Sequence, residues 1–282
     1  MRVVGIHGIN QHRQQPDELE KAWRDVLTAG IRKVDPRHTE SDLAFDLVFY
    51  ADLFEEHRGD WKGEQDQPID PVSEPGPAAL LSEWVRALDV ADAEVPQEDS
   101  KGLGVPAVPL WTQAAVQRLA ASPGLQGFGE AGVQRLARHM HVYLSYPQAR
   151  QLIWERVEQV IGDEVPSVLI GHSMGSVVAY EWLHGSSGAV RAEVPLFVTA
   201  GSPLGCGPVV SRLRPPPCLP ARCGRWVNIA GRHDPVAWPK QLAPLFGEAV
   251  RDEVCPFRPW AHNARTYLSS RPMADAVLGA RC

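Results

Sequence analysis

The chain has 282 residues, with 28 Lys and Arg against 34 Asp and Glu for a formal net charge of −6, and it contains no basic block, which excludes the electrostatic footprint of a nucleic-acid binder. No apolar run is long enough for a membrane span, and the first strand begins at Arg2 without room for a charged and apolar leader, so a soluble, cytoplasmic protein is expected. Five cysteines, an odd number, fit a reducing compartment better than a disulfide framework.

The length suits one α/β domain carrying an insertion. Arg2–Ile6 is a short apolar run that ends in His7-Gly8-Ile9-Asn10. A helix follows from Asp17, its expected N-cap, with Leu19, Trp23, Val26, Leu27 and Ile31 on one face. Strand, glycine loop and helix form the opening half of a βαβ unit. Leu43–Leu53 reads as the next buried strand, rich in Phe, Val and Tyr.

From about 54 to 147 the periodicity becomes intermittent. Acidic and Pro/Gly stretches, Gly63–Pro77 and Ala91–Pro109, separate one-sided helical patterns. The first carries Leu81, Trp84, Val85 and Leu88, the second Trp111, Ala115 and Leu119, and the third Val133, Leu136, Ala137, Met140 and Leu144. An insertion between sheet strands is expected to form a helical cap over the sheet edge, where loops grow without disturbing the core. Its Trp61, Trp84 and Trp111 either line an acyl pocket, together with the face of Leu81, Val85 and Leu88, or anchor the cap to the body, the commoner role for such side chains. His139 and His141 resemble a metal pair on paper, but i and i+2 on a helix point to different faces. Cys206, Cys218, Cys223 and Cys255 lack a C-x-x-C pair and are read as ordinary thiols rather than a zinc site.

Gln148–Ile161 reads as a helix that delivers the chain to Val168–Ile170, a short apolar run leading into Gly171-His172-Ser173-Met174-Gly175 and then a helix-compatible pattern. This G-x-S-x-G turn places its serine at the tip of a tight bend, with the next backbone N–H facing the same space. Gly171 and Gly175 are required because strand and helix pass too close there for side chains. The bland alternative is a glycine-bounded turn whose serine only caps the helix. Pro195–Ala200 is a further strand, ending in Gly201-Ser202-Pro203-Leu204-Gly205. Arg225–Ala230 is another, followed at once by Arg232-His233-Asp234-Pro235, and Ala249–Val254 a last short one.

A serine hydroxyl is a poor nucleophile until a base takes its proton, and that base needs a third group to hold its tautomer. Of ten histidines, the order serine, acid after a later strand, base after the last strand selects Asp234 and His262. His233 is the main competitor, although neighbours on a turn rarely face each other. Glu248, Asp252 and Glu253 look like a solvated charge run. A strand ending in His-Gly can supply a second oxyanion donor from the residue after the glycine, here Ile9. His7 is then expected to pack under that loop and hydrogen-bond it in place.

HGIN after the first strand, GHSMG at the elbow, GSPLG, RHDPVA and a late WAHNARTYL together resemble the α/β-hydrolase superfamily, most closely its lipase- and esterase-like bacterial members. The resemblance covers Met1–Leu53 and Gln148 to the end. It implies a three-layer αβα sandwich with a mostly parallel sheet, lacking the superfamily's first two strands and carrying the cap insertion. It also implies nucleophile Ser173, base His262, acid Asp234, oxyanion donors Met174 and Ile9, and supporting roles for His7, Gly8, Gly171 and Gly175. The expected reaction is hydrolysis of a carboxylic ester of a small or lipid-like acyl substrate through an acyl-enzyme. Thioester or amide hydrolysis on the same groups, or a catalytically inactive binding protein of the same fold, are the alternatives. Such chemistry needs no cofactor and no metal.

Overall fold

The computed structural model describes residues 1–56, 75–92, 108–185, 193–257 and 262–281. Six parallel strands form one sheet: β1 (Arg2–Ile6), β2 (Ala44–Val48), β3 (Val168–His172), β4 (Val194–Ala200), β5 (Cys223–Gly231) and β6 (Val250–Cys255), in the order β2-β1-β3-β4-β5-β6. The helices are α1 (Pro16–Arg32), α2 (Leu53–Glu56), α3 (Pro75–Asp92), α4 (Val108–Ala121), α5 (Gly129–Ser145), α6 (Pro147–Ile161), α7 (Met174–Gly185), α8 (Gly207–Val210), α9 (Ala243–Phe246), α10 (Ala264–Leu268) and α11 (Arg271–Leu278).

Because successive strand residues face opposite sides, the sheet divides its apolar residues between two cores. Val4, Leu169, Phe197, Trp226 and Val250 pair directly across five strands. They pack on one side with buried residues of α3, α4, α5, α6 and α7. Val3, Val168, Ile170, Leu196 and Val198 face the other side, against Trp23, Leu27 and Ile31 of α1 and Met273 and Val277 of α11. The result is α/β, with helices on both faces of an all-parallel sheet. Strands buried on both faces explain why they read as continuous apolar runs rather than alternating ones.

Two sequence expectations are corrected at element ends. The second strand stops at Val48, since Leu53 already opens α2. Helix α1 starts at Pro16 with Gln15 as N-cap, and Asp17 lies inside its first turn. Pro at the first position needs no side-chain cap, because its missing N–H is one the helix start could not satisfy. The first two helical patterns of the insertion are α3 and α4 and the third is α5, while Trp61 lies outside the described residues.

The insertion is not a detached lid. Leu81, Trp84, Val133, Leu136 and Met140 are buried in the same core as Val4 and Leu169 of the sheet. The face of α3 expected to line a pocket is therefore consumed in packing, which is the anchoring alternative.

β1 and β3 are neighbours, but the chain leaves β1 toward β2 on one side and continues from β3 toward β4 on the other. The carboxyl ends of these two strands are the topological switch point, where open α/β sheets gather their ligands.

Candidate active site

Ser173 directly follows β3 and precedes α7, and its φ of +54° is the left-handed conformation, uncommon for a residue with a side chain. Such strain costs of order 1–3 kcal/mol and persists only where surrounding structure enforces it. Here the Ser173 N–H is held by the Ala200 carbonyl at 3.0 Å and its own carbonyl accepts from the Ser176 N–H at 2.9 Å. Gly175 supplies the closest constraint: a Cβ there would sit 2.1 Å from the Ile6 carbonyl oxygen. A Cβ on Gly171 would meet the backbone of Ser176 at 2.6 Å. At these two glycines strand, elbow and helix meet backbone to backbone.

Three side chains expected to work together lie in one line. The Ser173 hydroxyl donates to His262 Nε2 at 2.9 Å, and His262 Nδ1 donates to Asp234 Oδ2 at 2.8 Å. The imidazole hydrogen-bonded to Ser173 is that of His262. All three side chains are buried, so the serine is not at an exposed tip as its elbow suggested. Its hydroxyl lies instead in the wall of a cavity of about 600 Å³. The His262 backbone N–H is fixed by the Gly124 carbonyl at 2.9 Å, so the inserted segment holds the imidazole's backbone in place.

Asp234 has every oxygen engaged. Oδ1 accepts from the Val236 N–H at 2.9 Å, and Oδ2 accepts from both His262 Nδ1 and the Tyr267 hydroxyl, the latter at 2.6 Å. Burial by itself would raise this carboxyl, but the His262 charge and hydrogen bond, the Lys240 ammonium and the Tyr267 hydroxyl outweigh it and hold it down at about 2. Lys240 Nζ donates to the Asp234 main-chain carbonyl, and burial lowers this amine to about 8. Neither Tyr267 nor Lys240 was singled out in the sequence. Tyr267 stands in the same WAHNARTYL stretch as His262, one helical turn into α10, which is the only local signal it carried.

The second strand-end loop lies against the serine. A Cβ on Gly8 would fall 2.8 Å from Ser173 Cβ, so Ile9 is brought beside the nucleophile and forms part of the cavity wall. Met174 opens α7, where a backbone N–H has no intrahelical acceptor. Among the described residues neither the Ile9 nor the Met174 N–H has a backbone acceptor. His7 packs under the loop: Nδ1 donates to the Gly8 carbonyl, and Nε2 accepts from the Tyr50 N–H at 3.2 Å. The Tyr50 hydroxyl closes the bracket on the His7 carbonyl at 2.5 Å. Burial lowers His7 to about 4, so it stays neutral in the one tautomer those partners allow. His172, whose ring centroid is 5.1 Å from that of His262, is also neutral, held at about 3 by burial and then by the His262 charge.

Asp252 is not part of a solvated run. Its carboxylate accepts from the Leu242 and Ala243 backbone N–H groups at 2.9 and 3.0 Å and from Asn228 Nδ2 at 2.8 Å. Asn228 Nδ2 also donates to the Lys240 carbonyl at 3.0 Å, so this polar ladder across β5 and β6 ties down the loop that carries Asp234. Glu253 pairs with Arg251 at the surface.

Trp84 is fully buried and Trp111 packs against the same core, and neither lines the cavity. His139 stacks on Phe54 with ring centroids 4.0 Å apart, whereas His141 sits edge-on to Tyr146. The two do not converge. Cys206, Cys223 and Cys255 are buried free thiols and Cys218 is an exposed one. Among the described residues no group of three or more His, Cys, Asp or Glu is placed to hold a metal ion, and no helix is long and apolar enough to cross a membrane.

No family model matches the chain, and no curated protein or solved structure matches it. What the site can do is therefore read from its own geometry. A hydroxyl bonded to one imidazole nitrogen, whose other nitrogen donates to a carboxylate, can pass its proton to the ring as it attacks an electrophile.

Proposed function

We propose that the protein is a serine hydrolase that cleaves a carboxylic ester, with Ser173 as nucleophile, His262 as base and Asp234 as the acid that orients it. The observation that carries this reading is the continuous Ser173–His262–Asp234 hydrogen-bond line, at 2.9 and 2.8 Å, opening on a cavity. Ser173 Oγ attacks the ester carbonyl carbon while its proton moves to His262 Nε2. The carbonyl oxygen becomes an oxyanion that the Met174 and Ile9 N–H groups receive. Collapse breaks the bond to the alcohol, which leaves with the proton from His262. Water then attacks the acyl-enzyme with His262 again as base, and the acid departs. Each oxyanion donor contributes on the order of 10²–10³ in rate.

Labelling with a fluorophosphonate, read by intact mass, tests the reading. Native protein should gain one adduct and Ser173→Ala none, with hydrolysis of short 4-nitrophenyl esters lost in the variant. An active native enzyme whose Ser173→Ala variant keeps its activity would overturn the assignment.

A further inference from the structure

The cavity beside Ser173 is lined by Arg13, Arg135 and Arg265, and among its described lining residues there is no carboxylate. That is a marked segregation in a chain of net charge −6. None of the three arginines is in an ion pair with a described residue.

Arg135 is the placed member of the set. It projects from α5, half-buried, and its Nη1 donates to the Asn10 side-chain oxygen at 3.1 Å. Asn10 is itself locked, with a φ of +66° and its Nδ2 on the Gly132 carbonyl at 3.3 Å. The loop after β1 and helix α5 are thereby joined, and the guanidinium is oriented by a neutral amide that does nothing to balance its charge. A guanidinium has about five N–H donors in a fixed fork, so most of its donors remain for a ligand. A partly desolvated cation of this kind calls for an anionic partner. Neighbouring His12 carries the same signature: its basicity is lowered by burial first and by the Arg135 charge next, against the opposing pull of Glu55. Trp23 and Phe128 supply the apolar part of the wall.

Resting on the serine-hydrolase reading, we propose that the substrate is an anionic ester, whose carboxylate or phosphate group is bound by Arg135 with Arg13 and Arg265 at the cavity mouth. The guanidinium fork fixes the anion in two directions and so holds the ester carbonyl at Ser173. Neutral acyl chains lack this anchor, and the α3 residues that could have gripped them are buried in the core.

Two matched pairs test this at low ionic strength. The mono-4-nitrophenyl ester of suberic acid is compared with 4-nitrophenyl octanoate, and 1-octanoylglycerol 3-phosphate with 1-octanoylglycerol. At least one anionic member should show a kcat/KM about tenfold or more above its neutral partner, and the pair that does so identifies carboxylate or phosphate as the anchor. The preference should shrink as salt is added. It should fall about tenfold in Arg135→Gln and be partly kept in Arg135→Lys, both checked for folding by thermal melts. If Arg135→Gln does not fold, the ratio in Arg13→Gln and Arg265→Gln decides the matter, and an unchanged ratio there overturns the proposal. No anionic preference in either pair, a preference that survives Arg135→Gln, or a fluorophosphonate-labelled enzyme that cleaves none of the four esters overturns the anionic substrate while leaving Ser173 in place. A native protein that is not labelled at all removes the hydrolase reading and this inference with it.

Discussion

The Tyr267 hydroxyl and the His262 imidazole share one oxygen of Asp234, at 2.6 and 2.8 Å. Tyr267 also accepts from the Gly231 N–H at 2.9 Å, so it ties the carboxylate to the end of the strand that delivers it. Tyr267→Phe removes both bonds while keeping the ring. Hydrogen bonds to a charged group contribute about 1.5–3 kcal/mol, and we expect kcat for a 4-nitrophenyl ester to fall about tenfold with KM changed less than about twofold. A rise in KM at constant kcat would show that Tyr267 shapes the cavity rather than positioning the acid.

Gly175 tests how closely the elbow is built. Its missing Cβ is replaced in space by the Ile6 and His7 carbonyl oxygens, 2.1 and 2.6 Å from where that atom would be. Both are backbone and cannot rotate away. Gly175→Ala should therefore destabilise the protein by about 3 kcal/mol or more, at the upper end of overpacking costs, measured as a shift of the urea midpoint. A variant with native stability would mean that β1 and α7 slide apart freely.

Acid stability carries a signature of Asp234. Its folded-state value of about 2 lies below the ordinary 3.8, so its stabilisation is complete above about pH 4 and is lost as pH falls toward 2. The difference corresponds to about 2 kcal/mol at neutral pH. Urea unfolding of native protein and Asp234→Asn should show a stability gap that narrows by that order between about pH 6 and pH 2. A gap independent of pH would place the variant's effect in packing rather than charge.

Trp84→Ala separates the two roles weighed for the insertion. The side chain is fully buried in the same core as Leu81, Leu136 and Met140, and truncating a buried tryptophan costs about 3–5 kcal/mol. We expect a much lower melting temperature and an unaltered dependence of kcat/KM on acyl length. A flattened chain-length profile at native stability would return Trp84 to the substrate pocket.

The parts of this molecule that were legible in the sequence are those whose causes are local. Val168–Ile170 followed by GHSMG announces strand, turn and helix within a dozen or so residues, because apolar periodicity and glycine act through the immediate chain. Asp234 and His262 were legible through their order along the chain, since each follows a strand and all such ends meet on one rim. Asp252 was misread because an acid at the sheet edge looks the same whether it faces water or two backbone N–H groups. Tyr267 and Arg135 were missed for a related reason: their partners, Asp234 and Asn10, are brought close only by tertiary folding. The charge of the cavity was equally hidden, as Arg13, Arg135 and Arg265 come from three separate segments.

The Gly124 carbonyl that holds the His262 backbone bears on the order in which the molecule becomes reactive. The ribosome releases β1, the insertion and the Ser173 elbow well before it releases Asp234, and His262 after that. Under the proposed function, a chain grown only that far carries the nucleophile without its base, and the Gly124 carbonyl without the N–H it accepts. Ser173 gains its hydrogen-bond partner only once His262, which lies beyond β6 in the chain, has been made. Under the proposed function, a chain that stops short of His262 lacks the base and should be inert.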